Sequence, residues 1–97
     1  PLDVEAWLDY SSVMFEQDNI EGAIGIISEG IKNNPDSADL YYRIVAYLFA
    51  EGRYNDALSH LQIALLADPE KHFMLFEYLP QLKTNQAVID IIARFTS

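Results

Sequence analysis

The chain has 97 residues, enough for one domain with a modest core but too few for a large enclosed active site. Fifteen carboxylates against six Lys and Arg residues give a net charge of −9, which disfavours nucleic acid and anionic membrane surfaces as partners. Cysteine is missing from the sequence, so disulfides and thiolate metal sites are excluded, and no apolar run reaches the roughly 18 residues of a membrane span.

Three prolines, Pro1, Pro35 and Pro69, are separated by 34 residues each. Because proline cannot continue a helix, each marks a place where one helix has ended and another is about to begin. A fixed period of 34 residues with two helices in each period indicates a helical repeat array. We therefore expect a single domain, 1–97, made of one repeat at about 4–37, a second at about 38–71, and a degenerate closing unit at about 72–97.

The first predicted repeat contains two helices. Asp3 is a suitable N-cap for the first helix, which runs to about Gln17, where Asp18 and Asn19 interrupt it. The second helix covers about residues 20–32, because small and branched apolar residues recur there at a spacing of three or four and form one stripe. That stripe consists of Ile20, Ala23, Ile24, Ile27 and Ile31.

The second predicted repeat follows the same plan. Its first helix begins at Ala38 and ends before Gly52, which can supply the positive φ that favours a helix terminus. Its second helix covers about residues 54–67. The stripe of the first helix is Tyr41, Ile44, Val45 and Leu48, and that of the second is Tyr54, Ala57, Leu58, Leu61, Ala64 and Leu65.

The third unit departs from this plan at Pro80, which lies inside the helix expected from about residue 70. A proline in a regular helix interior removes a backbone hydrogen bond and costs about 3 kcal/mol, so this helix should kink or stop early. Asn85 is then a suitable N-cap for a last helix over about residues 86–95.

The pattern of large, small and proline positions resembles that of tetratricopeptide repeats. The first repeat matches at Trp7, Tyr10, Met14, Ala23, Ile27, Gly30 and Pro35, and the second at Tyr41, Ile44, Leu48, Ala57, Leu61, Ala64 and Pro69. The turn at 51–58 and the ending at 64–69 are especially typical of that family. The resemblance implies an all-α fold of antiparallel helix-turn-helix repeats, stacked as a short right-handed α-solenoid.

The same resemblance implies a non-catalytic protein-interaction module that binds a partner peptide or helix in its concave groove. On this reading Tyr42, Phe49 and Phe76 are apolar anchors, and Arg43 is an orienting charge. The family's chaperone-binding members carry a lysine and asparagine clamp for a terminal carboxylate. Here the corresponding residues are different, so such a tail is not the expected ligand. The full predicted site is Leu8, Ser12, Phe15, Tyr42, Arg43, Ala46, Phe49, Phe73 and Phe76.

Residue types that carry catalysis or metal binding do not form a recognisable motif. His60 follows Asp56 by four residues and His72 follows Asp68 by four, but a metal or catalytic site needs a third converging ligand and a pocket. Neither a serine nucleophile elbow nor a glycine-rich phosphate loop is present. We therefore expect solvated histidines, no cofactor, no metal and no enzymatic activity.

Two alternatives to groove binding remain open. The chain can be a structural closing segment of a longer array, whose own repeats cover the groove, and Pro1 at a repeat boundary leads us to expect a fragment. It can also self-associate into a homo-oligomer, for which the candidates are Tyr10 and Val13, or Ile89, Ile92 and Phe95 of the last helix. The compartment is undetermined, with the cytoplasm slightly favoured.

Overall fold

The computed structural model describes residues 3–97, and every regular element in that range is helical. The α-helices are α1 (Val4–Glu16), α2 (Ile20–Asn33), α3 (Ala38–Ala50), α4 (Tyr54–Ala67), α5 (Phe73–Tyr78) and α6 (Gln86–Thr96). Two short 3-10 helices, Pro69–His72 and Pro80–Thr84, precede and follow α5. The predicted all-α class is confirmed. None of these helices has the length and apolar character needed to cross a membrane.

The predicted helix ends are confirmed where a capping residue was identified. The Asp3 side chain accepts a hydrogen bond from the Ala6 N–H at 2.8 Å, and Asn85 accepts one from the Val88 N–H at 3.1 Å. Gly52 has a φ of 81°. The hydrogen bonds to Asp3 and Asn85 satisfy backbone N–H groups that the first turn of a helix would otherwise leave free.

Pro80 interrupts the third unit as predicted. Helix α5 ends at Tyr78, and a 3-10 helix begins at Pro80 itself, where a missing N–H has no cost. The start of this unit differs from the prediction, because residues 69–72 form a 3-10 helix before α5 begins. Asp68 caps that segment by accepting a hydrogen bond from the Glu70 N–H at 3.1 Å.

Helix α3 is the centre of the molecule. It packs against α1, α2, α4, α5 and the 69–72 segment, so nine of its thirteen residues are buried and only a narrow strip reaches the surface. The small residues Ala23 and Ala57 are fully buried, on α2 and α4, where they admit close approach of neighbouring helices. Tyr54, predicted in the apolar stripe of α4, is the first residue of that helix and is instead 62% exposed.

Candidate functional site

A cleft of about 200 Å³ lies between α1, α3 and α5 and is called here the Arg43 cleft. Helices α1 and α3 each contribute residues at a spacing of one turn, which places them on one face of their helix. Helix α1 contributes Ser12, Phe15 and Glu16, α3 contributes Arg43, Ala46 and Tyr47, and the end of α5 contributes Tyr78 and Leu79.

The guanidinium of Arg43 forms one wall of the cleft and ties α3 to α1. Its Nη1 donates hydrogen bonds to Ser12 Oγ at 2.7 Å, to Tyr47 Oη at 3.2 Å and to the Leu8 carbonyl oxygen at 3.4 Å. Its Nε is buried and has no hydrogen-bond partner within residues 3–97. The hydrogen bonds that join Arg43 to α1 therefore all involve one nitrogen.

Aromatic rings cover the Arg43 side chain. The guanidinium carbon lies 4.3 Å from the centre of the Tyr78 ring and 5.9 Å from that of Tyr47, within the range of a cation–π interaction. Burial lowers the pKa of Arg43, but the neighbouring Tyr47 and Tyr78 together raise it by more, so its pKa lies above the usual value. Arg43 is therefore a permanent cation.

A buried hydrogen-bond chain fixes the other wall. Ser11 is fully buried, and its hydroxyl donates to the Leu8 carbonyl oxygen at 2.9 Å while accepting from Tyr47 Oη at 2.9 Å. The Tyr47 oxygen then accepts from Arg43 Nη1. The Phe15 ring stacks on Tyr47 with centroids 5.0 Å apart and planes 18° apart. The walls of the cleft are thus fixed before any ligand binds.

Four of the nine predicted site residues come together in this cleft. They are Ser12, Phe15, Arg43 and Ala46. A fifth, Leu8, lies beneath it, with a buried side chain and a carbonyl oxygen that accepts hydrogen bonds from Ser11 and Arg43. Four of these five were predicted from the positions that line the groove in the family that the sequence resembles, and Arg43 was predicted as an orienting charge.

Two predicted apolar anchors lie in the core rather than on the groove surface. Tyr42 is fully buried, and its hydroxyl donates to the Asp68 carbonyl oxygen at 2.7 Å. Phe49 is 8% exposed, and its ring lies 6.2 Å from that of Tyr54. The expectation that Tyr42 and Phe49 are apolar anchors exposed in the groove is corrected, because α3 is covered on several sides rather than one.

The remaining two predicted residues lie away from the Arg43 cleft. Phe73 is 52% exposed at the start of α5. Phe76 borders a second, more open cleft of about 360 Å³, between the α5 region and α6, and lies edge-on to the His72 ring with centroids 6.3 Å apart. The second cleft is lined by His72, Phe76, Lys83, Ile89, Ile92, Ala93 and Thr96.

Four residues of the Arg43 cleft were not predicted: Glu16, Tyr47, Tyr78 and Leu79. Tyr47 follows Arg43 by four residues, so helical spacing alone would have placed the two side chains together. No such signal was available for Tyr78 or Leu79, which reach the cleft through the packing of the α5 region against α3.

The histidines show no arrangement of the metal or catalytic type. His60 Nδ1 lies 2.8 Å from the Asp56 carbonyl oxygen, and His72 Nδ1 lies 2.9 Å from that of Pro69. Both rings are partly buried rather than fully solvated. Within residues 3–97, no three His, Cys, Asp or Glu side chains are grouped closely enough to hold a metal ion.

The surfaces considered for self-association differ in exposure. On α1, Tyr10 and Val13 are 53% and 51% exposed. On α6, Ile89 is exposed, whereas Ile92 is buried and Phe95 packs against the core. The α1 surface is therefore the more accessible of the two.

Comparison with known proteins supplies no further guide to the site. The chain matches no protein-family model, no curated protein and no solved structure.

Proposed function

We propose that the chain is a non-catalytic protein-interaction module of the tetratricopeptide type, which binds a segment of a partner protein in the Arg43 cleft. The observation that carries the proposal is a concave surface with prearranged aromatic walls. Phe15, Tyr47 and Tyr78 present ring surface there, and aromatic side chains in such positions supply much of the energy in protein interfaces.

The walls of the cleft are held by contacts between elements rather than by the ligand. Arg43 and Ser12 join α3 to α1, and Tyr78 of α5 lies over the guanidinium. Because these side chains are already ordered, binding a partner loses little side-chain entropy at the walls. An extended peptide or the edge of a helix fits a site of this size, because about 200 Å³ accommodates one or two side chains rather than a whole domain.

A blocking substitution with a matched control tests this proposal. Peptides selected from a random library against the wild-type protein are the probes. Ser12→Phe places a ring in the cleft, whereas Ser59→Phe places the same ring on the exposed face of α4. We expect Ser12→Phe to weaken peptide binding by at least about tenfold in fluorescence anisotropy, since one well-packed anchor contributes 2 kcal/mol or more. Ser59→Phe should bind like the wild type.

Circular dichroism of both variants shows whether the fold persists. Amide chemical-shift changes on peptide binding should map to α1, α3 and α5. Unchanged binding by a folded Ser12→Phe variant, or shifts confined to another face, would contradict the proposal.

A second candidate function is structural, as a closing segment of a longer array or as a self-association element. The exposure of Tyr10 and Val13, one turn apart on α1, favours it, because among residues 3–97 helix α1 packs against α2 and α3 alone and leaves this face open.

A further inference from the structure

The charges around the Arg43 cleft define the ligand more closely. The chain has fifteen carboxylates and only six Lys and Arg residues, so cations have many potential partners. The partly buried Lys71 pairs with Asp39 at 2.9 Å, and the exposed Lys32 and Arg53 form ion pairs. Lys83 and Arg94 form none among residues 3–97, but both are exposed to solvent. Arg43, also partly buried, has no carboxylate within 4.0 Å among residues 3–97.

An unpaired cation in a sheltered position is costly, because burial removes solvent without supplying a counter-charge. One guanidinium nitrogen, Nη1, donates hydrogen bonds to neutral oxygens of Ser12, Tyr47 and Leu8. The Tyr78 side chain is a further neutral partner of the guanidinium, which borders the cleft. The cleft therefore presents a permanent positive charge that no carboxylate of the described residues neutralises.

Glu16 borders the same cleft but does not neutralise Arg43. It lies at the end of α1, is exposed to solvent and forms no ion pair with the guanidinium. Glu16 and Arg43 therefore act on a ligand separately. An anionic ligand in the cleft is attracted by Arg43 on the aromatic wall and repelled by Glu16, whose charge is screened by solvent.

We infer that the Arg43 cleft binds an acidic side chain, Asp or Glu, of the partner segment, with flanking apolar residues on the Phe15 and Tyr78 rings. This inference rests on the proposed function. A carboxylate carries one negative charge, which matches the single positive charge of the guanidinium, and a hydrogen bond between two charged groups is stronger than one between neutral groups. A phosphoryl group carries up to two negative charges. Arg43 can balance one of them, and the second would be repelled by the carboxylate of Glu16.

The test uses selected peptides that are acetylated and amidated, so that a side chain provides the only carboxylate. We expect selection to enrich Asp or Glu beside apolar residues. Replacing that residue by Asn or Gln should weaken binding by about tenfold, the loss expected for one charge-assisted hydrogen bond. Unchanged affinity of the amide peptide, or enrichment of Lys and Arg, would overturn the inference.

Two protein variants test independently whether the ligand is acidic or basic. Glu16→Gln removes the repulsive charge from an exposed position, so acidic peptides should bind about twofold more tightly, with the gain reduced at high salt. Arg43→Gln should weaken the same peptides by about tenfold if it folds. Because Arg43 also joins α1 to α3, the Glu16 result decides alone if Arg43→Gln does not fold. Weaker binding by Glu16→Gln would show that the ligand is basic.

Other outcomes separate the ligand class from the proposed function. If acidic peptides bind and Ser12→Phe blocks them, both proposals stand. If only neutral peptides bind in the cleft, the interaction module stands and the acidic ligand is wrong. Tighter binding of a phosphoserine peptide than of its Asp counterpart would assign the cleft to a phosphoryl group instead.

Discussion

At the start of α3, Tyr42 holds the segment that follows α4 against the helix. Its hydroxyl donates to the Asp68 carbonyl oxygen at 2.7 Å, and one turn of 3-10 helix later Lys71 pairs with Asp39 at 2.9 Å. Burial, and to a smaller extent the charge of Asp68, raise the pKa of Tyr42 well above its ordinary value. A side chain predicted to bind a partner therefore acts in the fold instead.

Tyr42→Phe should lower the free energy of unfolding at pH 7.5 by about 0.5–1.5 kcal/mol, because it removes one hydrogen bond and leaves the ring in place. The raised pKa means that folding favours the neutral phenol. The contribution of the neutral phenol to the free energy of unfolding is complete below about pH 10, the pKa of tyrosine in the unfolded chain. It is lost at higher pH by about 1.4 kcal/mol per pH unit. The stability difference between wild type and Tyr42→Phe should therefore shrink and reverse near pH 11.

Urea unfolding at both pH values measures this difference, with Tyr54→Phe as the control. Tyr54 is largely exposed, so its variant should remain within about 0.5 kcal/mol of the wild type at pH 7.5. A constant difference between wild type and Tyr42→Phe across this pH range would show that Tyr42 does not titrate differently in the folded state.

Between elements, the contact of α1 with α2 depends on a glycine. A Cβ added at Gly30 would lie 2.9 Å from Cγ and 3.1 Å from Cβ of Trp7, distances that require a neighbouring atom to move. Trp7 Cβ is part of the α1 framework and cannot swing away as the end of a flexible side chain can. Gly25, on the same helix, has no atom within 4 Å of the corresponding position.

We therefore expect Gly30→Ala and Gly25→Ala to have opposite effects on stability. Gly30→Ala should destabilise the protein by about 1–3 kcal/mol through overpacking against Trp7. Gly25→Ala should stabilise it by about 0.5–1 kcal/mol, because alanine loses less backbone entropy in a helix interior. Thermal and urea unfolding measure both changes. If both substitutions change the free energy of unfolding in the same direction, the close packing of α1 on α2 at Gly30 is contradicted.

Most helix ends could be predicted because each depends on a local signal. Asp3, Gly52, Pro80 and Asn85 act through their own backbone geometry or through an N–H three residues away. Burial is different, because it depends on elements that are distant in sequence. Periodicity correctly identified one buried face of α3, but it contained no information about the 69–72 segment and α5, which cover further faces.

In the candidate site, too, local spacing predicts part of the arrangement, and contacts between distant elements determine the rest. Ser12 and Phe15, or Arg43 and Ala46, share a helix face that spacing alone reveals. The presence of Tyr78 over the Arg43 guanidinium depends on the packing of α5 against α3, and the sequence contains no equivalent local signal for it. The nature of the cleft as a cation covered by aromatic rings therefore emerged only from the structure.

Across the whole molecule, negative charge is concentrated in the first 37 residues. That part contains eight carboxylates and one lysine, a net charge of −7, whereas residues 38–97 have seven carboxylates and five Lys or Arg residues, a net charge of −2. The exposed apolar face of α1 belongs to the strongly charged part. Any contact between two copies through this face must therefore bring like charges together.

Self-association through Tyr10 and Val13 should consequently depend on salt. Screening shortens the Debye length from about 14 Å at 50 mM to about 4 Å at 500 mM salt, so repulsion between the two acidic halves weakens while apolar burial persists. We expect sedimentation velocity at high protein concentration to show a larger sedimentation coefficient at 500 mM than at 50 mM NaCl. Tyr10→Ser should abolish that increase. Leu66→Ser, which removes an apolar side chain that is 74% exposed on α4, should preserve it. A monomer under both conditions would eliminate self-association and leave binding to a different protein as the role of this face.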